Sequence, residues 1–84
     1  MSKWSKLYEA LVRNPELRIR FADLGTLHES FGFQFKRAKG SHRSYKHADV
    51  PFVLTIQPHG KDAVQYQVKR LLEVVRDFDL HMMV

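Results

Sequence analysis

The hydrophobic residues of this chain change their spacing at Gly32, and this change limits the fold more than any other feature. Before Gly32 they recur every three or four positions, which is typical of helices. After it, Phe33 and Phe35 alternate with polar residues, which is typical of a half-buried strand. The helical spacing returns from Asp62 onward. The sequence therefore predicts helices on both sides of a short sheet.

The first two helices have recognisable ends. A helix over Ser2–Arg13 begins with a serine that can cap it, and Asn14-Pro15 ends it because the residue before a proline disfavours helical backbone. A second helix over Phe21–Phe31 ends at Gly32, which can adopt the left-handed conformation of a helix C-terminus. Its interior Gly25 lowers helix stability by about 1 kcal/mol relative to alanine.

The middle of the chain predicts three strands. The first continues from Phe33 into the basic residues, Gly40-Ser41 forms a turn, and the second strand occupies Arg43–His47. The β-branched residues of Phe52–Gln57 predict the third strand, which Pro58–Gly60 closes. The last helix follows, with Asp62 as its predicted N-cap and Phe78 near its end, and the tail Asp79–Val84 is expected to be frayed or lightly docked.

This order of elements predicts an α+β fold, a three-stranded antiparallel sheet with helices packed on one face and the other face exposed. A chain of 84 residues holds one modest core, and 44% hydrophobic residues with six phenylalanines argue against disorder. We expect a single domain over residues 1–84, with an additional N-terminal helix within 1–15 and a core over 21–78.

The net charge of +5 arises entirely within the segment Ser30–Ala48, which we call the basic segment. It contains no carboxylate and five cations: Lys36, Arg37, Lys39, Arg43 and Lys46. Such a run is often only a solvated face, but the rest of the chain interleaves its charges, and lysine and arginine neutralise phosphates. The segment therefore predicts contact with a polyanion such as RNA. At its centre lies Gly40-Ser41-His42, and histidine exchanges protons near neutral pH.

Other kinds of site find no support in the sequence. Without cysteine there is no disulfide, no thiolate nucleophile and no cysteine-based zinc site, and the five histidines lack HxH or HxxxH spacing. We therefore expect neither a metal nor a cofactor. The N-terminus lacks the apolar core of a signal peptide, and the longest apolar run is too short for a bilayer. The expectation is a cytoplasmic protein that contacts no membrane.

Several short segments occur in a fixed order: Gly32-Phe33, Arg37–His42, His47–Pro51, Ile56–Pro58 and Tyr66–Val68. In this set the chain resembles the HicA toxin family, small ribonucleases of toxin–antitoxin pairs, over roughly Phe21–Phe78. The resemblance implies a fold like that of double-stranded RNA-binding domains, mRNA as substrate, and a HicB-type antitoxin that covers the active site. It also implies that His42 is the catalytic residue.

We expect His42 to act as a general base or acid in RNA cleavage, because RNA carries its own nucleophile in the ribose 2′-hydroxyl. Lys39, Arg43 and the backbone N–H groups of Gly40 and Ser41 are expected to hold the phosphate. The full predicted RNA-binding set is Lys36, Arg37, Lys39, Gly40, Ser41, Arg43 and Lys46. Members of the family often have a second histidine and an apolar residue where this chain has Arg43 and Ser44.

The sequence leaves the second proton-transfer group open among three candidates, Tyr45, His47 and His59. Strand alternation places His42 and Tyr45 on opposite faces, so Tyr45 is expected in the core or an interface. His47 is expected in a turn. His59 precedes the last helix on a loop that could approach the site.

Two other functions also remain open. One is a non-catalytic RNA-binding module of similar fold, which recognises phosphates and 2′-hydroxyls. The other is a protein-interaction domain whose basic hairpin binds an acidic partner. The RNA-binding module predicts RNA binding without cleavage, and the protein-interaction domain predicts neither RNA binding nor RNA cleavage.

Overall fold

The computed structural model describes residues 2–83, which form three helices, a three-stranded sheet and a separate two-stranded hairpin. The elements are α1 (Lys3–Arg13), α2 (Phe21–Ser30), β1 (Gln34–Lys39), β2 (His42–Lys46), β3 (Leu54–Ile56), β4 (Pro58–His59), β5 (Asp62–Ala63) and α3 (Gln65–Asp77). The predicted domain limits and tail include Met1 and Val84, which lie outside the described residues. Within residues 2–83, no helix combines the length and apolar character needed to cross a membrane.

The larger sheet confirms the predicted α+β fold. Its strands are antiparallel in the order β1, β2, β3, and β2 lies in the middle. The predicted third strand is longer than the observed one, because only Leu54–Ile56 pairs with β2. A bulge between Phe35 and Arg37 shifts the register of β1 against β2.

One face of this sheet is covered by the helices. The buried core includes Leu11, Leu24, Leu27, Phe31, Tyr45, Leu54, Ile56, Val68, Leu71 and Val75. The opposite face is polar, and on it the hydroxyl oxygens of Ser44 and Thr55 lie 3.3 Å apart across β2 and β3. We call this polar side the open face. The predicted division into a covered and an exposed face is confirmed.

The ends of the first two helices confirm the predicted signals. The Ser2 Oγ accepts a hydrogen bond from the Ser5 N–H at 3.2 Å, as an N-cap does. The C-terminus of α2 is followed by Gly32 with φ of 92°, the left-handed conformation that ends many helices. The N-terminus of α1 and the C-terminus of α2 therefore lie where the sequence predicts them.

The N-cap predicted at Asp62 is wrong. α3 begins at Gln65, and its N-cap residue Val64 makes no capping hydrogen bond through its side chain. Asp62 lies instead in β5, where its backbone pairs with His59 and forms a bridge to Arg20. The loop predicted to close the third strand is therefore part of a hairpin, which is stabilised by backbone hydrogen bonds to a distant segment.

The N-terminal helix packs on the core. Leu11 is fully buried, and the Tyr8 ring meets the Phe31 ring edge to face with centroids 5.0 Å apart. The tail is docked as far as it is described, because Leu80 is buried and the Met83 N–H donates to the Ser30 carbonyl at 2.6 Å. Both ends of the chain thus contribute to the packing around α2.

Candidate functional site

The centre of the basic segment is a two-residue turn. Lys39 and His42 are paired at the ends of β1 and β2, and Gly40 and Ser41 connect them. Gly40 has φ of 61°, and a Cβ at this position would meet no atom within 4 Å. The turn therefore requires glycine for its backbone conformation and not for space, as in two-residue hairpins that place glycine first. All four residues are exposed at one end of the sheet.

His42 has Lys39 as its cross-strand neighbour. Residues directly opposed on antiparallel strands point to the same face, with Cβ atoms about 5 Å apart. Strand alternation also places Ser44 on this face. The His42 ring takes part in none of the ion pairs formed within residues 2–83. An exposed imidazole beside an exposed ammonium group can accept or donate a proton next to a bound anion.

The cations of the basic segment lie on both faces of the sheet. Arg37 is opposite Ser44, so it shares the open face with His42 and Lys39. Arg43 is on the other face, and its guanidinium lies 5.5 Å from the centroid of the Phe21 ring at the start of α2. Lys39 and Arg43, which were both predicted to hold the phosphate at His42, thus flank the hairpin from opposite sides.

The remaining two predicted cations are further from the turn. Lys36 occupies the bulge of β1, where its Nζ donates to the Gln34 Oε1 at 3.1 Å. Lys46 is half-buried, and its Nζ donates to the carbonyls of His47 and Val50. Four residues along a strand span about 13 Å, so Lys46 stabilises the loop after β2 at the end opposite His42.

The three candidates for a second proton-transfer group lie in three different surroundings. Tyr45 is 2% exposed on the helix-covered face, which confirms its predicted place in the core. His47 lies where a turn was predicted, and its Nδ1 accepts a hydrogen bond from the Asp49 N–H at 2.9 Å. His59 lines a different cavity from the one beside the Gly40 turn, together with Arg18 and Asp62. The fold thus places Tyr45 on the face opposite His42, binds His47 into the loop after β2, and leaves His59 against another cavity.

The structure adds two cations that the sequence analysis did not assign. Arg20 precedes α2 and Lys61 lies in the turn between β4 and β5, yet both line a cavity that also contains Gly40 and Ser41. No local sequence signal indicates this, because both residues lie outside the basic segment. Among residues 2–83, no cluster of three histidine or carboxylate side chains is placed to hold a metal ion.

A family model described as "HicA toxin of bacterial toxin-antitoxin" matches residues 22–76, more than half of the chain. The chain belongs to the HicA toxin family. The resemblance seen in the sequence is thereby confirmed, and the protein is a toxin of a toxin–antitoxin system. Neither a curated protein nor a solved structure matches the chain. The HicA match includes the hairpin with His42 and leaves out α1.

Proposed function

We propose that this HicA-family toxin is a metal-independent endoribonuclease that cleaves mRNA and is neutralised by a HicB-type antitoxin. The observation that carries the proposal is the pairing of His42 with Lys39 beside an exposed glycine turn. This arrangement supplies a proton-transfer group and a cation at one accessible place. Because the substrate contributes its own nucleophile, such a small site is sufficient for RNA cleavage.

In the proposed reaction the ribose 2′-oxygen attacks the adjacent phosphorus. The O2′–P bond forms while the P–O5′ bond breaks, which leaves a 2′,3′-cyclic phosphate and a 5′-hydroxyl. The 2′-hydroxyl releases a proton and the departing O5′ takes one up. His42 carries out one of these transfers and water carries out the other, since Tyr45 is buried on the opposite face and the Nδ1 of His47 is bound to the Asp49 N–H.

Negative charge accumulates on the phosphate oxygens during this attack. Lys39 shares the open face with His42, and the backbone N–H groups of Gly40 and Ser41 lie at the turn that joins them. Donors fixed before the reaction stabilise such charge without reorganisation. Arg37, two register positions further along on the same face, is placed to contact the adjoining part of the RNA strand.

An antitoxin can silence this site by covering the hairpin. The turn and the first residues of β2 are exposed, and the segment around them carries all of the chain's excess positive charge. An acidic surface is steered toward such a segment and suppresses competing binding by occupying it. We therefore propose that the HicB-type partner buries His42 and Lys39 together.

The test is cleavage of an mRNA by purified protein in the presence of EDTA. General acid–base catalysis typically contributes 10²- to 10⁴-fold, so His42→Gln is expected to slow cleavage by about that factor and to abolish growth arrest. His81→Gln is the control, since this histidine is exposed on the tail. The His42→Gln variant should still bind RNA, because the cations of the basic segment remain.

Three results would contradict the proposal in different ways. If His42→Gln cleaved RNA as fast as the unmodified protein does, His42 would not be a catalytic residue. Loss of all cleavage in EDTA would show that the reaction needs a metal ion. RNA binding without cleavage by the unmodified protein would identify a non-catalytic RNA-binding module instead.

A further inference from the structure

A cavity of about 410 Å³ lies between the two hairpins of the molecule. Gly40 and Ser41 form one wall, the turn that carries Lys61 forms another, and the start of α2 after Arg20 closes the end. Arg43 also lines it, from the helix-covered side of β2. We call this cavity the hairpin groove.

The hairpin groove is strongly basic. Arg20, Arg43 and Lys61 come from three separate segments, all three are exposed, and no carboxylate is among the lining residues. None of the three takes part in the ion pairs formed within residues 2–83. Three unneutralised cations around one cavity repel one another, so an anion bound there gains from all of them.

The fold positions these cations through main-chain contacts. The Phe21 N–H donates to the Lys61 carbonyl at 3.0 Å, and the Ala63 N–H donates to the Ile19 carbonyl at 2.9 Å. The backbone of Arg20 therefore runs as a paired strand beside the β4–β5 hairpin. At the end of the groove, the Phe21 ring lies under the guanidinium of Arg43. Main-chain hydrogen bonds thus hold together the segments that carry Arg20 and Lys61, and the contact with the Phe21 ring places Arg43 beside them.

We propose that the hairpin groove binds a phosphate of the RNA strand next to the phosphate held at His42, with Arg20, Arg43 and Lys61 as its ligands. The inference rests on the proposed function and extends it around the turn. Gly40 and Ser41 separate the two places, so a strand positioned for cleavage at His42 continues past the groove. Arginine forms paired hydrogen bonds to phosphate oxygens, which suits two of the three ligands.

The experiment measures binding of a fully 2′-O-methylated RNA 12-mer, which lacks the nucleophile and stays intact. Fluorescence anisotropy is recorded over a range of NaCl concentrations for Arg20→Gln/Lys61→Gln and for a matched control, Lys6→Gln/Arg13→Gln. Both double variants lose one arginine and one lysine, and the control residues are exposed on α1, away from the groove.

Loss of the contact to this one phosphate is expected to reduce the slope of log affinity against log salt by up to about 0.7, the contribution of one neutralised phosphate on a single strand. Affinity at low salt should fall about tenfold or more, and the control should keep both its slope and most of its affinity. If the double variant fails to fold in a thermal melt, Arg20→Gln and Lys61→Gln are measured singly, each with part of the change in slope.

An unchanged slope and affinity would overturn the inference and would leave an acidic protein segment as the class of partner for the groove. Cleavage is measured separately on unmodified RNA, so the two proposals fail in different ways. If the unmodified protein cleaves RNA but the double variant has an unchanged slope, only the role of the groove in RNA binding is contradicted. If the double variant shows a reduced slope but the unmodified protein does not cleave RNA, only the proposed nuclease activity is contradicted. Absence of any RNA binding overturns both.

Discussion

His28 is the only polar residue among residues 2–83 whose side chain is buried in the core. It is 1% exposed, and its Nδ1–H donates to the Leu24 carbonyl at 2.8 Å. Its ring lies 5.0 Å from the Tyr45 ring and 5.5 Å from the Phe33 ring. Burial disfavours the charged imidazolium and lowers the pKa of His28 to about 4, against the smaller opposing effect of the hydrogen bond. The histidine is therefore a neutral part of the core at pH 7.

This pKa predicts a loss of stability in mild acid. The unfolded chain binds a proton near pH 6.5, whereas the folded chain binds it only near pH 4, so the unfolded state is favoured increasingly as pH falls through this window. The free energy of unfolding should drop by roughly 3 kcal/mol between these values. Urea unfolding at several pH values measures this change in the free energy of unfolding. His28→Leu should remove this part of the dependence and His81→Gln should keep it; equal pH dependence in both variants would contradict the prediction.

Gly25 lies inside α2 because the Tyr45 side chain needs the space. A Cβ on Gly25 would lie 2.7 Å from the Tyr45 hydroxyl oxygen and 3.7 Å from Cζ. The first distance forces a shift in the core, while the second is an ordinary contact. The helix propensity that argued against glycine at this position is thus outweighed by packing against β2.

A double-mutant cycle tests this explanation. Gly25→Ala should destabilise the protein by about 1 kcal/mol, since overpacking costs about 1–3 kcal/mol and helix propensity returns about 1 kcal/mol. In a Tyr45→Phe background the clashing oxygen is absent, so the same change should become neutral or stabilising by up to about 1 kcal/mol. Chemical unfolding of the unmodified protein, the two single variants and the double variant gives the coupling free energy between positions 25 and 45. The same loss in both backgrounds would show that the hydroxyl is not the cause.

The strands show which parts of the site can be predicted from sequence. Alternation correctly placed Tyr45 on the face opposite His42, because the side-chain period of a strand is two. The same rule places Arg43 on the face opposite His42, although the sequence led us to assign Lys39 and Arg43 to the same phosphate. The bulge at Lys36 then changes which residues of β1 face Ser44, and nothing local in the sequence marks a bulge.

The β4–β5 hairpin shows what local sequence cannot predict. Its strands have two residues each, too short for any periodicity, and an aspartate before a helical pattern is a normal N-cap signal. Asp62 pairs with His59 within the hairpin, and it also forms a backbone bridge to Arg20, some forty residues earlier in the chain. The hairpin groove depends on this pairing, so its two unassigned cations become visible only once the fold is known.

The core of the molecule extends beyond the residues that the family model matches. The match begins at residue 22, after α1, but the buried cluster around α2 includes Leu11 from α1, with Leu7 and Tyr8 packed against it. Phe31, within the matched region, meets Tyr8 edge to face. The N-terminal helix is therefore bound to the same core that supports the hairpin, and its own residues should influence stability strongly.

Two adjacent residues of α1 provide the test. Leu11 is fully buried and Val12 is 55% exposed, and both are replaced by alanine, which favours a helix at least as well as either. Leu11→Ala should lower the free energy of unfolding by about 2–5 kcal/mol, as expected for a buried leucine. Val12→Ala should change it by less than about 0.5 kcal/mol. Because local helix propensity cannot produce a loss in either variant, a large loss confined to Leu11→Ala assigns it to packing. Losses below about 0.5 kcal/mol in both would instead mean that α1 is a detachable appendage of the core.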